Sequence, residues 1–419
     1  MRRALRRLFT RRRMCWAVLG AGLTVPASAR AQLTIHVGAV PAAKAHDATV
    51  YVAGSFNGWN PGAPAYALRR DAASGYVITL PESVRGAIEF KFTLGSWGSV
   101  ETAAAGGEVP NRTFVIPAAG AATYVATIAA WHADAGANGV PTRAASTASS
   151  SVSILSDHFF MPQLGRARRI RLYLPPGYAG SRRRYPVLYM QDGQNVFDAA
   201  TSFAGEWGID ETLDSLHAAG DPGLIVVAAD NDGAHRLDEY DPWVNPTAKY
   251  GGGEGDAYVK FLTETLKPYV DRHYRTRPGR MTTAIGGSSM GGLIALYAAL
   301  ARPDVFGKAA VFSCACWIAE GPLLALARQA RPKRPWPRLY FVSGARETET
   351  GEPAREQAHV ADALIAAGFP RGRSVRALTR TDGKHAEWFW RREFVAAYRW
   401  LFADTSSAAA AAPGRSNHR

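Results

Sequence analysis

One serine stands where chemistry can happen. The stretch Ala284-Ile285-Gly286-Gly287-Ser288-Ser289-Met290-Gly291-Gly292-Leu293 contains Gly-x-Ser-x-Gly, the spacing of an elbow in which a serine sits on a strained turn between a buried strand and a helix. The flanking glycines are needed because a Cβ there would collide with the turn. A serine hydroxyl is a weak nucleophile until a histidine takes its proton, and that histidine needs a carboxylate to fix its tautomer and stabilise its cation. Of the ten histidines, His273 precedes the serine and His359 falls in a helical pattern. His385, in Asp382-Gly383-Lys384-His385-Ala386-Glu387, is the expected base. Glu347, in Ser343-Gly344-Ala345-Arg346-Glu347, is the expected acid, with Glu349 and Asp382 as rivals. The chain order serine, acid, histidine is the one that accompanies such an elbow. The backbone N–H groups of Met290 and of Gln194, the latter in the turn Gln191-Asp192-Gly193-Gln194-Asn195, are expected to meet a tetrahedral oxyanion.

These groups need a rigid frame. Residues 281–285 read as the strand before the serine and 293–300 as an apolar helix after it. Apolar strand runs at 170–174, 185–190, 224–229, 309–312 and 338–342 alternate with helical patterns such as 257–269. That alternation predicts an α/β unit with a mostly parallel sheet covered on both faces, its site beyond the carboxyl ends of the strands. Gly251-Gly252-Gly253-Glu254-Gly255 lacks the lysine of a phosphate-binding loop and reads as a flexible loop at the site. There is no His-Glu-x-x-His, no paired Cys-x-x-Cys and no histidine cluster at ligand spacing, so no metal and no cofactor are expected.

The rest of the chain divides by composition. Met1 to Arg13 carries seven arginines and no acid, followed by a short apolar run and Ala29-Arg30-Ala31. Residues 1–31 therefore read as an export signal of ordinary or twin-arginine type, predicting a periplasmic or secreted protein with no stable membrane association after cleavage. Without those residues the formal net charge falls from +14 to +6, because eight arginines leave and no acid does. No basic patch with interleaved aromatics remains, so a nucleic-acid partner is not expected. Residues 32–131 show short β-rich runs separated by Gly, Pro and Asn turns and predict a small all-β, immunoglobulin-like sandwich. Residues 132–151 are Ala/Gly/Ser/Thr-rich and read as a linker, 152–404 as the α/β unit and 405–419 as a disordered tail. Cys314 and Cys316 would face opposite ways on an extended strand over 310–317, so they are expected to be unpaired core thiols.

Two resemblances sharpen this reading. Gly54-Ser55-Phe56-Asn57-Gly58-Trp59-Asn60-Pro61, Phe90-Lys91-Phe92, Gly95-Ser96-Trp97 and Pro110-Asn111-Arg112-Thr113 resemble the starch- and glycogen-binding modules. That likeness implies a sugar platform of Trp59 and Trp97 helped by Lys91 and Asn111. An indole suits the apolar face of a pyranose, although both tryptophans could equally be core residues of a spacer. The second likeness rests on Gly205-Glu206-Trp207-Gly208-Ile209-Asp210, Arg236-Leu237-Asp238-Glu239-Tyr240-Asp241-Pro242-Trp243, the elbow, residues 313–317 and Gly383-Lys384-His385. Together they are similar to the esterase D or enterochelin-esterase-like family of α/β hydrolases. It implies an α/β-hydrolase fold, a Ser289/His385/Glu347 triad, and Trp207, Arg236, Glu239, Tyr240 and Trp317 near the substrate cleft. With a sugar-binding module on the same exported chain, the expected substrate is an acetyl or feruloyl ester on a polysaccharide or sugar. The alternatives are a siderophore ester, acyl transfer, or a carbohydrate-binding protein whose hydrolase unit is inert.

Overall fold

The computed structural model describes residues 32–41, 49–57, 60–71, 75–95, 99–104, 109, 111–132, 146–202, 205–233, 235–245, 251–348 and 351–410, with backbone only for 403–410. Trp59, Trp97, Glu349, the expected signal and most of the expected linker lie outside the described residues.

The α/β unit is built on eight strands, numbered here in chain order. They are β1 (Val152–Met161), β2 (Arg166–Tyr173), β3 (Val187–Met190), β4 (Ile225–Ala229), β5 (Thr283–Ser288), β6 (Lys308–Phe312), β7 (Arg338–Gly344) and β8 (Val375–Arg380). Their order across the sheet is β1-β2-β4-β3-β5-β6-β7-β8. β1 and β2 run antiparallel at one edge, and the six strands from β4 to β8 are parallel. Side chains alternate across the pleat. Tyr189, Ile285 and Val311 enter one core, whereas Leu188, Met190, Ala284 and Phe312 enter the core on the other face. Being covered twice explains why β4, β5 and β6 are buried at every position. Helix α1 (Ile209–Ala218) and the final helix α3 (Glu387–Ala410) cover one face; α2 (Met290–Ala301), which follows the elbow, covers the other.

The described part of residues 32–131 forms three small sheets, of four, three and two strands, around one core. Gln32–Ala39 pairs antiparallel with Gly75–Thr79 and parallel with Ala121–Thr127, while Gly86–Thr93 lies between Tyr51–Gly54 and Arg112–Ile116. Ile35, Val52, Phe90, Phe92 and Trp131 fill the space between. On the outer face of Gly86–Thr93, Glu89 accepts a hydrogen bond from Asn111 Nδ2 (3.0 Å), and Lys91 projects from the same face two residues on.

Three expectations need correction. The last residues of the expected linker, 146–151, are docked on the α/β unit. Ser146 and Thr147 bond Asp198, Thr147 Oγ1 donates to Glu206, Ser149 N–H donates to Asp210 Oδ2 (2.7 Å), and Ser151 Oγ donates to Asp214. Small polar residues look like a tether by composition, yet here they supply donors that buried carboxylates lack. The expected tail is helical as far as Ala410, because alanine is the best helix former. Cys314 and Cys316 are joined by a disulfide with Cα atoms 5.1 Å apart. The strand ends at Phe312 and the chain turns at Ser313 (φ 43°), so the extended geometry that would separate the two thiols is absent.

Asp210 gives this docking a pH signature. Burial pushes its carboxyl up to about 7, against the Ser149 N–H, which lowers it, and neighbouring Glu211, which raises it further. A group raised on folding contributes stability that is complete below its unfolded range near ~4 and is lost as pH rises to the folded value. The protein should therefore lose on the order of 1–3 kcal/mol between about pH 4 and 7 through this residue. Asp210→Asn, which keeps an acceptor for Ser149, should flatten the profile of melting temperature against pH in that interval.

Candidate active site

Three strand ends carry the site, and each is marked by strain. Among the described residues only Asp192 (φ 55°), Ser289 (φ 57°) and Ser313 (φ 43°) hold positive φ without being glycine. They follow the carboxyl ends of the adjacent strands β3, β5 and β6. Such conformations cost about 1–3 kcal/mol each and persist only where the surroundings over-determine them. Ser289 is over-determined. Its N–H donates to Phe312 O (3.0 Å), and its carbonyl accepts from Ala315 N–H (3.0 Å) and from the first turn of α2. A Cβ on Gly287 would lie 2.7 Å from the Gly291 carbonyl group, and one on Gly291 would lie 3.1 Å from Gln191 Cβ. Gly287 is thus fixed by backbone approach, and Gly291 by the side chains of Gln191 and Asp192.

The acid and the base come from the next two strands. Glu347 stands just past β7, its side chain 1% exposed, and its Oε2 accepts from His385 Nδ1 at 3.1 Å. This bond puts the proton on Nδ1 and leaves Nε2 free as a base. Glu347 Oε1 accepts from Gly344 N–H and from Ser313 Oγ, both at 2.5 Å. Burial alone would raise the carboxyl; His385, the Gly344 N–H and the Ser313 hydroxyl outweigh it and hold the group below its ordinary value. Asp382, the rival acid, instead forms an exposed ion pair with Arg392. The two loops meet at glycine: a Cβ on Gly344 would enter the Gly383 carbonyl group, and one on Gly383 would lie 2.6 Å from Gly344 Cα and 2.7 Å from the Phe389 ring. Arg346 N–H donates to Gly383 O (2.9 Å) across the same contact.

The expected oxyanion donors lie on touching segments. Met290 is the first residue of α2, where N–H groups have no intrahelical acceptor. Gln194 sits in the turn Gly193–Asn195, whose preceding residues Gln191 and Asp192 press on Gly291. This turn is held from beneath: Arg236 makes a two-pronged bond to Asp192 (2.7 and 2.8 Å), Asp192 N–H donates to Tyr240 Oη, and Gln194 Oε1 accepts from Asn231 N–H.

That arrangement corrects the expected cleft residues. Glu239 and Tyr240 are fully buried, Glu239 between Arg166 and Arg168, with burial pushing its carboxyl up to about 7 against both guanidiniums. Trp207 is buried against Phe312 (4.9 Å) and Trp390 (5.6 Å). These three support the site instead of touching a ligand, and Arg236 is committed to Asp192. Trp317 is the member with an open ring, 39% exposed on the turn after Cys316. Sequence reasoning missed Ser313 and Trp390 as partners of the acid, although a serine directly after a strand was there to be read.

Comparison with known proteins agrees with this fold. A family model described as "Putative esterase" matches residues 162–401. The chain is 26% identical over 240 residues to an endo-1,4-beta-xylanase/feruloyl esterase of Xylanibacter ruminicola, covering 56% of this chain and 29% of that protein. It is 45% identical over 92 residues to an alpha-amylase of Niallia circulans, 22% of this chain and 7% of the amylase. It therefore spans only a minor part of either relative. The crystal structure of ferric enterobactin esterase from Salmonella typhimurium superposes with a TM-score of 0.50 at 18% identity, covering 86% of this chain and 90% of that one, a likeness of fold.

The glycine contact yields a direct test. Gly344→Ala must push apart the two loops that carry Glu347 and His385, at a cost on the order of 3 kcal/mol. The melting temperature should fall by roughly 5–12 °C. Gly321→Ala, where a Cβ meets nothing within 4 Å, should leave it within about 2 °C.

Proposed function

Since the chain belongs to the esterase family whose model it matches over 162–401, we propose that it hydrolyses carboxylic esters by a serine mechanism. The carrying observation is the bond from His385 to the buried carboxylate of Glu347, at the same carboxyl end of the parallel strands as an elbow serine held at φ 57°. His385 Nε2 takes the Ser289 proton as Oγ attacks the ester carbonyl, and the imidazolium is stabilised by Glu347. The Met290 and Gln194 N–H groups take the charge that develops on the carbonyl oxygen. His385 then protonates the departing alcohol. Water, activated by the same imidazole, releases the acid and restores Ser289.

The substrate is an ester borne on carbohydrate, acetyl or feruloyl. Two likenesses support this: the relative that is a xylanase/feruloyl esterase, and the 45% identity to an alpha-amylase over 92 residues, a length close to that of the front unit 32–131. A sugar platform of Trp59 and Trp97, with Lys91 and Asn111 beside it, would raise the enzyme's local concentration on a polysaccharide. Export is supported by the arginine-rich start and by the Cys314–Cys316 bond, since disulfides persist in oxidising compartments. Among the described residues no helix is long and apolar enough to cross a membrane.

Ser289→Ala should retain the fold, lower turnover of p-nitrophenyl acetate at least ~1,000-fold and abolish labelling by a fluorophosphonate; labelling that persists would exclude Ser289. Acetylated xylan and methyl ferulate should be preferred in a panel with a tri-catecholate lactone and p-nitrophenyl esters. A tenfold preference for the lactone, about 1.4 kcal/mol, would replace the carbohydrate ester with a siderophore ester. In an affinity gel containing soluble starch, the whole chain should be retarded. Trp59→Ala combined with Trp97→Ala should release it.

A further inference from the structure

We infer that the Ser313 hydroxyl is a positioning group for the acid Glu347, itself oriented by the indole N–H of Trp390; this rests on the triad reading above. Ser313 is 1% exposed and follows β6 directly. Its Oγ donates to Glu347 Oε1 (2.5 Å) and accepts from Trp390 Nε1 (2.7 Å). An indole nitrogen only donates, so the hydroxyl proton has one direction left and it points at the carboxylate. Trp390 meets the base as well, its ring edge-on to His385 with centroids 5.1 Å apart. Trp390 is in turn backed by Trp207.

The backbone of Ser313 is held to the same purpose. Its φ of 43° turns the chain out of β6, and its N–H donates to Val342 O of β7 (2.8 Å), two residues before Gly344. Two residues later, Ala315 N–H holds the carbonyl of Ser289 (3.0 Å), inside the loop closed by Cys314 and Cys316. Residues 313–315 therefore tie the nucleophile to the acid, and the hydroxyl is the one side-chain group on this tie that reaches the triad.

The hydroxyl has two effects on Glu347. It fixes the carboxylate plane so that Oε2 faces His385, and it draws negative charge toward Oε1. Without it more charge faces His385, the imidazolium is better stabilised, and the free base appears at higher pH.

The test uses the full chain, p-nitrophenyl acetate, and the pH profile of kcat/KM. Ser313→Ala should lower kcat about 10- to 100-fold, the range expected for losing one hydrogen bond to a charged group. KM should change less than about twofold, as for an interaction made only in the transition state. The acidic limb should move up by about half a pH unit or more. Ser313→Gly also loses the hydroxyl but relaxes the positive φ; equal loss in both variants assigns the effect to the hydroxyl, whereas wild-type turnover in Ser313→Gly overturns the inference. Trp390→Phe, which keeps the ring and removes the N–H, should move the limb the same way by less, and it carries the measurement if neither Ser313 variant folds. Ser313→Ala added to Glu347→Gln should cost nothing further, since the hydroxyl acts through Glu347; an additive loss would mark a merely structural role and overturn it. The control is Glu347→Gln alone: unchanged turnover there refutes the triad reading itself, whereas loss there with a wild-type profile in Ser313→Ala refutes only the role of Ser313.

Discussion

A carboxylate withdrawn from water must be met by donors, and Glu347 is met by three: the Gly344 N–H, the Ser313 hydroxyl and His385 Nδ1. Much of the site follows from satisfying that charge. Gly344 must lack a side chain so that its N–H can serve Glu347 while its Cα rests on Gly383. Ser313 must leave the strand at a positive φ to bring its hydroxyl over. His385 must stand where the third lone pair points. An unmet charge here would cost several kcal/mol, enough to open the loops of a marginally stable protein.

The parallel sheet makes such a meeting possible because it brings the ends of separate strands side by side. β3, β5 and β6 each end in a strained residue, and the two beyond them end in the Gly344 and Gly383 contact. Strain and close approach are concentrated at one edge, while every residue of β4, β5 and β6 is buried in ordinary packing. The large apolar cores on both faces offset what the site costs. Beneath the turn Gly193–Asn195 the same division appears in polar form: Arg236, Tyr240 and Asn231 spend their hydrogen bonds on Asp192 and Gln194 and leave the turn one position.

Wherever a residue's role follows from local spacing, it was legible in the sequence. The elbow, the strand and helix around it and the break into two units follow from short-range pattern, and Glu347 with His385 from the chain order that accompanies the elbow. What escaped depends on where the chain turns. Cys314 and Cys316 read as unpaired because a strand was extended through 317, past the bend at Ser313. Residues 146–151 read as tether because composition cannot reveal that Asp198, Asp210 and Asp214, fifty and more positions away, wait for their donors. Glu239 and Tyr240 read as cleft residues through the family resemblance, which carries positions but not burial, and both are fully buried.

The edge-on contact of Trp390 with His385 has an optical consequence. An excited indole gives up an electron more readily to an imidazolium than to a neutral imidazole, so the emission of this ring depends on the charge of its neighbour. Ten other tryptophans share the spectrum, and a difference spectrum against a chain lacking that indole isolates it. The molecule thus holds a fluorescent label at its candidate active site, and protonation there can be followed by light without substrate or dye.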